Sequence, residues 1–247
     1  MIDMKQYEAV IKVMKDNGGF ATLGYLYQNV LRIKKCEWKT KTPFASIRRI
    51  VQDVRFFFRI RPGLWALNAY KEKVLKNFSI DDISSKEEKE IFDHTYYQGL
   101  LVEIGNLKGF ETYIPRQDKN KMYLSRPLLD YATLKELYNF TYEKTVNRAK
   151  SIDVIWVNER KFPDSIFEIE HSTDFQNSLL KYLDLRDFNA NFIIVADVNR
   201  YREYERKVSY TAFSKLKERV AFLSYQKLAD YHSKAYQYYK LQEELKL

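Results

Sequence analysis

Cysteine occurs once in these 247 residues, at Cys36, which excludes an internal disulfide and any cysteine-rich zinc site. Histidine is nearly as scarce: His94, His171 and His232 leave little for an imidazole-based metal centre. Only seven glycines are present, and none falls into the G-x-x-x-x-G-K or G-x-G-x-x-G spacing that cradles phosphates. A nucleotide-driven motor is therefore not expected. The G-x-S-x-G elbow of serine hydrolases is missing too. No apolar run approaches the roughly 20 residues that a membrane span needs, and Met1 to Tyr7 carries no signal-peptide core. A cytoplasmic protein is expected.

What is there begins with charge. The formal net charge is +9, and its placement is more informative than its size. Residues 1–75 hold 15 Lys+Arg against 6 Asp+Glu, while the remainder holds 27 of each. Such asymmetry points to an N-terminal segment that meets a polyanion and a neutral body behind it. The 20 tyrosines and 16 phenylalanines mostly follow helical or strand periodicity, so core packing explains them better than base stacking.

The most informative stretch runs from Ser151 to Thr173. Two segments rich in β-branched and aromatic residues flank a polar turn around Asn158 to Ser165, which predicts a β-hairpin. Alternation puts Ile166, Glu168 and Glu170 on one face and Phe167 and Ile169 on the other. Two like charges side by side on a buried strand are costly unless a cation or a partner balances them. With Asp153 on the neighbouring strand, the simplest agent is a hard divalent metal held by oxygen, and Mg2+ is the expected cofactor.

The arrangement Asp153, fourteen residues, Glu168, one residue, Glu170 resembles the PD-(D/E)XK nuclease family, which includes many restriction endonucleases. Ile152 stands where the family carries Pro, and Glu170 where it carries Lys, a place where some restriction enzymes of the family also carry Glu. Lys150 and Lys181 are candidates to replace that lysine. The resemblance implies that Asp153 and Glu168 hold the metal and that Glu170 orients or deprotonates the attacking water. In the family the helix before the first core strand often adds a metal-site Glu, a position comparable to Glu103. His171 reads as a base, a phosphate contact or a hydrogen-bonded strand-end residue. Gln176 and Tyr182 depart from a family Gln/Tyr spacing and carry no role.

The N-terminal part reads as three helices and a hairpin. Apolar spacing at Tyr7, Val10, Ile11 and Met14 predicts the first helix, and Thr22 caps the second. Thr42-Pro43 starts a third, with Ile47, Ile50, Val51 and Val54 as its buried stripe. Strands follow at Phe57 to Ile60 and Leu64 to Leu67, around Arg61-Pro62-Gly63. The Thr-Pro helix start and the Pro-Gly-Leu-Trp-Ala-Leu wing resemble the winged-helix module called HARE-HTH. That resemblance implies DNA contact through Arg48, Arg49, Gln52 and Arg55 of the third helix and Arg59 and Arg61 of the wing, with protein contact as the alternative use.

Three regions are expected: a winged-helix domain at 1–69, a linker at 70–84, and a nuclease-like domain at 85–247. Within the last, Ser85 and Glu88 form a capping box for a long helix, and Phe110 to Pro115 is a strand. A helix is expected over Thr133 to Asn147, and another over Asp174 to Asp187 with Leu179, Leu180 and Leu183 inward. Strands follow at Asn191 to Val198 and Val220 to Tyr225, and a helical tail runs from Ser233. The fold class is α/β, a mixed central sheet flanked by helices, restriction endonuclease-like, plus the winged helix. The expected function is Mg2+-dependent cleavage of double-stranded DNA by a homodimeric, type II restriction endonuclease. The rivals are an inactive DNA-binding regulator and a nuclease acting on branched or recombination DNA.

Overall fold

The computed structural model describes residues 4–245. Residues 1–3, which open the stretch inspected for a signal segment, and residues 246–247, at the end of the expected helical tail, lie outside the described residues. Two compact units are present. One comprises the described residues up to Lys89 together with those from Ala229 onward, and the other spans Glu90–Leu228.

In the first unit, helix α1 (Gln6–Asp16) buries Ala9, Val10, Val13 and Met14. The strand β1 (Phe20–Thr22) follows, and all three of its residues are buried, so it carries no alternation by which to read it. Thr22 Oγ1 accepts the Tyr25 N–H at 3.2 Å and caps α2 (Leu23–Asn29), as its sequence predicts. Helix α3 (Pro43–Ile50) begins at the expected proline, although Thr42 makes no side-chain cap. It stops sooner than the spacing predicts. Asp53 accepts both the backbone N–H of Arg55 (3.1 Å) and its guanidinium (2.6 Å), and this Asx turn replaces the next helical turn. Val54 is consequently 82% exposed rather than part of the buried stripe, while Ile47 and Val51 are buried. Strands β2 (Phe57–Arg61) and β3 (Leu64–Leu67) form the expected hairpin, turned by Gly63 at φ +80°. With β1 they make an antiparallel sheet of order β1-β3-β2. Helix α4 (Lys71–Asn77) occupies part of the stretch expected to be a linker without clear periodicity. Val74 and Phe78, one turn apart, are its buried anchors, too few to show a period in the sequence, and Phe78 meets Phe20 edge-on at 4.8 Å.

Helix α5 (Lys86–Leu107) starts with the predicted capping box: Glu88 Oε2 accepts the Ser85 N–H at 2.7 Å and Ser85 Oγ accepts the Glu88 N–H at 3.1 Å. Next come β4 (Glu111–Tyr113) and a small hairpin of β5 (Met122–Tyr123) and β6 (Arg126–Pro127). The helix expected from Thr133 is mostly absent, and α6 covers only Glu143–Ala149. Thr133 instead exchanges hydrogen bonds with Thr112, and Leu134 N–H reaches Thr112 O at 2.9 Å, so tertiary pairing to β4 overrides the helical pattern.

The second unit is built on a five-stranded sheet of β4, β7 (Val154–Val157), β8 (Pro163–Glu170), β9 (Asn191–Ala196) and β10 (Val220–Ser224), in the order β10-β9-β8-β7-β4. Pairings β4 to β7 and β7 to β8 are antiparallel, whereas β8 to β9 and β9 to β10 are parallel, which makes the predicted mixed α/β sheet. Helices α7 (Gln176–Asp184) and α8 (Tyr201–Val208) supply the parallel crossovers, and α9 (Tyr225–Leu245) ends the described chain. Leu179, Tyr182 and Tyr204 pack with Ile155, Ile166 and Ile194 of the sheet. Leu180 is 43% exposed rather than inward, because consecutive helical residues cannot share one face. Trp156 donates its indole N–H to Leu101 O of α5 at 3.0 Å.

Gly99 lets β5 reach α5: a Cβ there would lie 2.2 Å from the ring of the buried Tyr123. Gly99→Ala gains about 1 kcal/mol of helix propensity but must displace that ring, for which overpacking costs typically 1–3 kcal/mol. The expected result is a lower denaturant midpoint, and an unchanged or raised midpoint would show that the ring has room to move.

Candidate active site

Strand β8 lies between two neighbours, so all but one of its residues are buried, including Glu168 at 3% and Glu170 at 5% exposure. Both glutamates point toward α7, as alternation predicts: Ser178 donates to Glu170 and its Oγ lies 3.1 Å from Glu168 Oε2. Thr173 also donates to Glu170. Val154 pairs with Phe167, which sets Asp153, just before β7, level with Glu168. Asp153 Oδ2 accepts the Ile169 N–H at 2.7 Å.

Two lysines face these acids. Lys181, one turn beyond Ser178 on α7, places Nζ at 2.9 and 2.8 Å from the two oxygens of Glu168 and 2.9 Å from Ser151 O. Lys150, the other candidate, instead points to Asn147 of its own helix at 3.4 Å. Lys121 Nζ lies 2.7 Å from Oδ1 of Asp118, which is 3% exposed in the turn after β4. From α5, His94 Nε2 comes within 3.5 Å of Asp153 Oδ1 and 3.9 Å of Asp118 Oδ2. Gln98 lies one turn farther along the same helix face. Its amide donates to Asp118 Oδ2 at 2.8 Å and to Asp153 O at 3.1 Å.

The electrostatics follow from crowding. Burial pushes Glu168 well above the ordinary carboxylate range and Asp153 adds to this, so that Lys181 offsets only part of the effect. Burial raises Glu170 as well, against the hydroxyls of Ser178 and Thr173. Burial would also raise Asp153, but His94 beside it and the Ile169 N–H outweigh it and hold this carboxyl low. Conversely, burial disfavours a charged His94, yet Asp153 and Asp118 hold its pKa above the usual value. Four largely buried carboxylates, Asp118, Asp153, Glu168 and Glu170, thus face the ammonium groups of Lys121 and Lys181. With the imidazole of His94 also facing Asp153 and Asp118, the clustered carboxylate oxygens are a donor set that suits a divalent cation.

Of the other residues singled out from the sequence, His171 borders the site, its ring 5.8 Å from that of His94, and the rest lie elsewhere. Glu103 is nine residues from His94 on α5, which is half a turn around and about 13 Å along the helix axis, and its carboxylate accepts the Tyr123 hydroxyl at 3.2 Å. His171, just past β8, has Nδ1 at 2.7 Å from the Tyr225 hydroxyl, which also reaches Glu170 O. In the first unit, Arg48 and Arg49 lie on α3, Gln52 and Arg55 in the turn after it, and Arg59 and Arg61 on β2. Arg48 binds Asp230 at 2.6 Å. Arg49, Gln52 and Arg55 line one hollow of about 570 Å³ with Tyr7 and Phe56, whose rings stack at 5.4 Å. Sequence reasoning missed His94, Gln98 and Asp118. Only the i, i+4 spacing of His94 and Gln98 hinted at a shared face.

The sequence model of the family described as "Type II restriction enzyme NmeDI C-terminal domain" matches residues 74–245. The chain belongs to this family. Among curated proteins, the type II restriction enzyme NmeDI of Neisseria meningitidis serogroup C is 29% identical over 113 residues, covering 42% of this chain and 32% of that enzyme. This NmeDI-family chain thus spans about a third of its curated relative. No solved structure matches it significantly. The family match takes in all of β4 to β10 and with them His94, Asp118, Asp153, Glu168 and Lys181. Among the described residues, no helix of this family member is long and apolar enough to cross a membrane.

Proposed function

We propose that this chain is a Mg2+-dependent endonuclease of the PD-(D/E)XK kind that cuts double-stranded DNA, as a type II restriction enzyme does. The observation that carries the reading is the set of buried carboxylates at the end of the central β8, facing fewer ammonium groups than acids in a family named for a restriction enzyme. Asp153 and Glu168 would hold the ion. A bound divalent ion supplies a Lewis acid for the scissile phosphate and a more acidic bound water. Lys181, on Glu168, is the residue that replaces the family lysine, orienting the attacking water or steadying a phosphate oxygen. Glu170, kept in place by Ser178 and Thr173, accepts the proton of that water. Glu103 would serve a second ion only in a rearranged helix. Incubating supercoiled plasmid with purified protein and Mg2+, then sequencing the ends, tests the reading. Intact plasmid with Mg2+ and with Mn2+, across varied methylation, would favour a binding-only regulator, in which the Lys181–Glu168 pair is simply a closed salt bridge. Junctions cut in preference to linear duplex would favour the branched-DNA alternative.

Residues 1–69 serve in this reading as a winged helix that docks on DNA, residues 70–84 as the connection, and residues 85–247 as the nuclease. A homodimer matches the two-fold symmetry of a palindromic duplex. Arg48 is committed to Asp230 and Arg55 to Asp53, so Arg49 is the arginine of α3 best placed to reach DNA. Arg49→Ala is expected to reduce the slope of log affinity against log salt by about 0.9 if it meets phosphate. If it meets a guanine edge, it should instead relax site preference by about 1–3 kcal/mol. Arg48→Ala should change neither by as much. Fluorescence anisotropy over a salt series with a randomised duplex library reads both, and an Arg49→Ala protein with parental slope and preference would remove this helix from the interface.

A further inference from the structure

Three segments remote in sequence converge on one point: α5 brings His94, the turn after β4 brings Asp118, and the residue before β7 is Asp153. Their ligand-capable atoms all lie within 4.8 Å of one another, with His94 Nε2 at 3.5 and 3.9 Å from the two carboxylates. Donor atoms bound about 2.0–2.2 Å from a common ion lie roughly 3–4 Å apart, so little movement separates this arrangement from a coordination sphere. Lys121 holds Oδ1 of Asp118 and the Ile169 N–H holds Oδ2 of Asp153, so Asp153 Oδ1 and Asp118 Oδ2, the latter shared with the Gln98 amide, face His94.

A second observation comes from Gln98, which is fully buried. Its Nε2 donates to Asp118 Oδ2 and to Asp153 O. Two acceptors fix the orientation of the amide, since a flip would set its oxygen against both. Gln98 Oε1 is left buried with no hydrogen-bond partner, on the amide whose nitrogen bonds the cluster. A buried carbonyl oxygen of this kind calls for a donor or a cation.

We infer that His94, Asp118 and Asp153, with the Gln98 amide oxygen beside them, form a mixed nitrogen and oxygen site for a divalent transition-metal ion. An imidazole ligand favours zinc or iron-class ions over Mg2+, which prefers oxygen donors alone. The inference deepens the metal-dependent reading and rests on it only through Asp153, which serves both. His94 is the most exposed member, at 22% of its side chain against 12% for Asp153, and so marks the entry path.

The test uses the full metal-free chain and Mn2+, whose paramagnetism reports its ligands. Wild type should bind Mn2+ with the nitrogen modulation of an imidazole in pulsed electron paramagnetic resonance. Zn2+ should displace it near equal concentration and Mg2+ only in large excess. His94→Gln should abolish the nitrogen signal and weaken Mn2+ by about tenfold or more, and Asp118→Asn should weaken it similarly. Glu168→Gln should keep the nitrogen signal. Circular dichroism checks each variant, with His94→Asn as a second choice if His94→Gln is misfolded. Mn2+ bound without nitrogen modulation, or no Mn2+ bound at all, overturns the inference, and does so without touching the endonuclease reading if the chain still cuts plasmid in Mg2+. A nitrogen signal in a chain that cuts no DNA upholds the site and removes the nuclease.

Discussion

Asp153→Ala is expected to lower DNA cleavage by about 10³-fold or more while leaving DNA binding without metal close to the parental value. Metal-centred stabilisation of a transition state is worth several kcal/mol, and each 1.36 kcal/mol is a factor of ten in rate. Asp153 is where the acids meet: it lies level with Glu168, faces His94, and is anchored by the Ile169 N–H. Loss of its carboxylate would take away the oxygen nearest His94 and leave that imidazole with Asp118 alone. Single-turnover cleavage and gel-shift binding on the same preparation separate the two effects. Cutting at the parental rate by Asp153→Ala would end the assignment of the catalytic centre to this end of the sheet.

The second large effect is expected at Lys181, and on stability before activity. Its ammonium bonds both oxygens of a glutamate that is 3% exposed and already raised by burial and by Asp153. Removing one partner of a buried ion pair costs about 3–5 kcal/mol. For Lys181→Ala that figure is an upper bound, because Glu168 takes up a proton instead of remaining charged. Urea unfolding of the metal-free protein should show the loss, and added divalent cation should recover part of it. The double variant Glu168→Gln with Lys181→Met should unfold at a higher midpoint than Lys181→Ala alone, since the amide at position 168 has no proton to take up and the methionine fills the space the lysine stem leaves. In Lys181→Ala cleavage should fall by about 10²–10³-fold, the loss typical of one preorganised donor. A Lys181→Ala chain as stable as the parent would show that this ammonium does not balance the buried acids.

Much of the local structure was legible because it depends on near neighbours. Ser85 and Glu88 satisfy each other's backbone across one turn, and Pro43 opens α3 by its own ring geometry. Asn191 to Ala196 forms a strand from a run of apolar residues, and Glu168 with Glu170 share a face because the strand period is two. The asymmetry of charge between residues 1–75 and the remainder likewise needs no coordinates. The errors came where a distant partner outbid the local pattern. Thr112 drew Thr133 and Leu134 out of the expected helix, and Val74 and Phe78 made a helix of a stretch too polar to show one. At the end of α3 the cause was local instead: the Asp53 carboxylate bonded Arg55, two residues on, and turned Val54 out to solvent.

For the site, the alternation of one strand was enough to single out Glu168 and Glu170, and the hairpin brought in Asp153. Which further groups meet them depended on how α5, the turn after β4 and α7 pack around the sheet. His94, Asp118 and Lys181 each sit in a segment whose own pattern concerns only its helix or turn. Periodicity states which face a residue takes, whereas the identity of the residue opposite is set by long-range packing that no local spacing encodes.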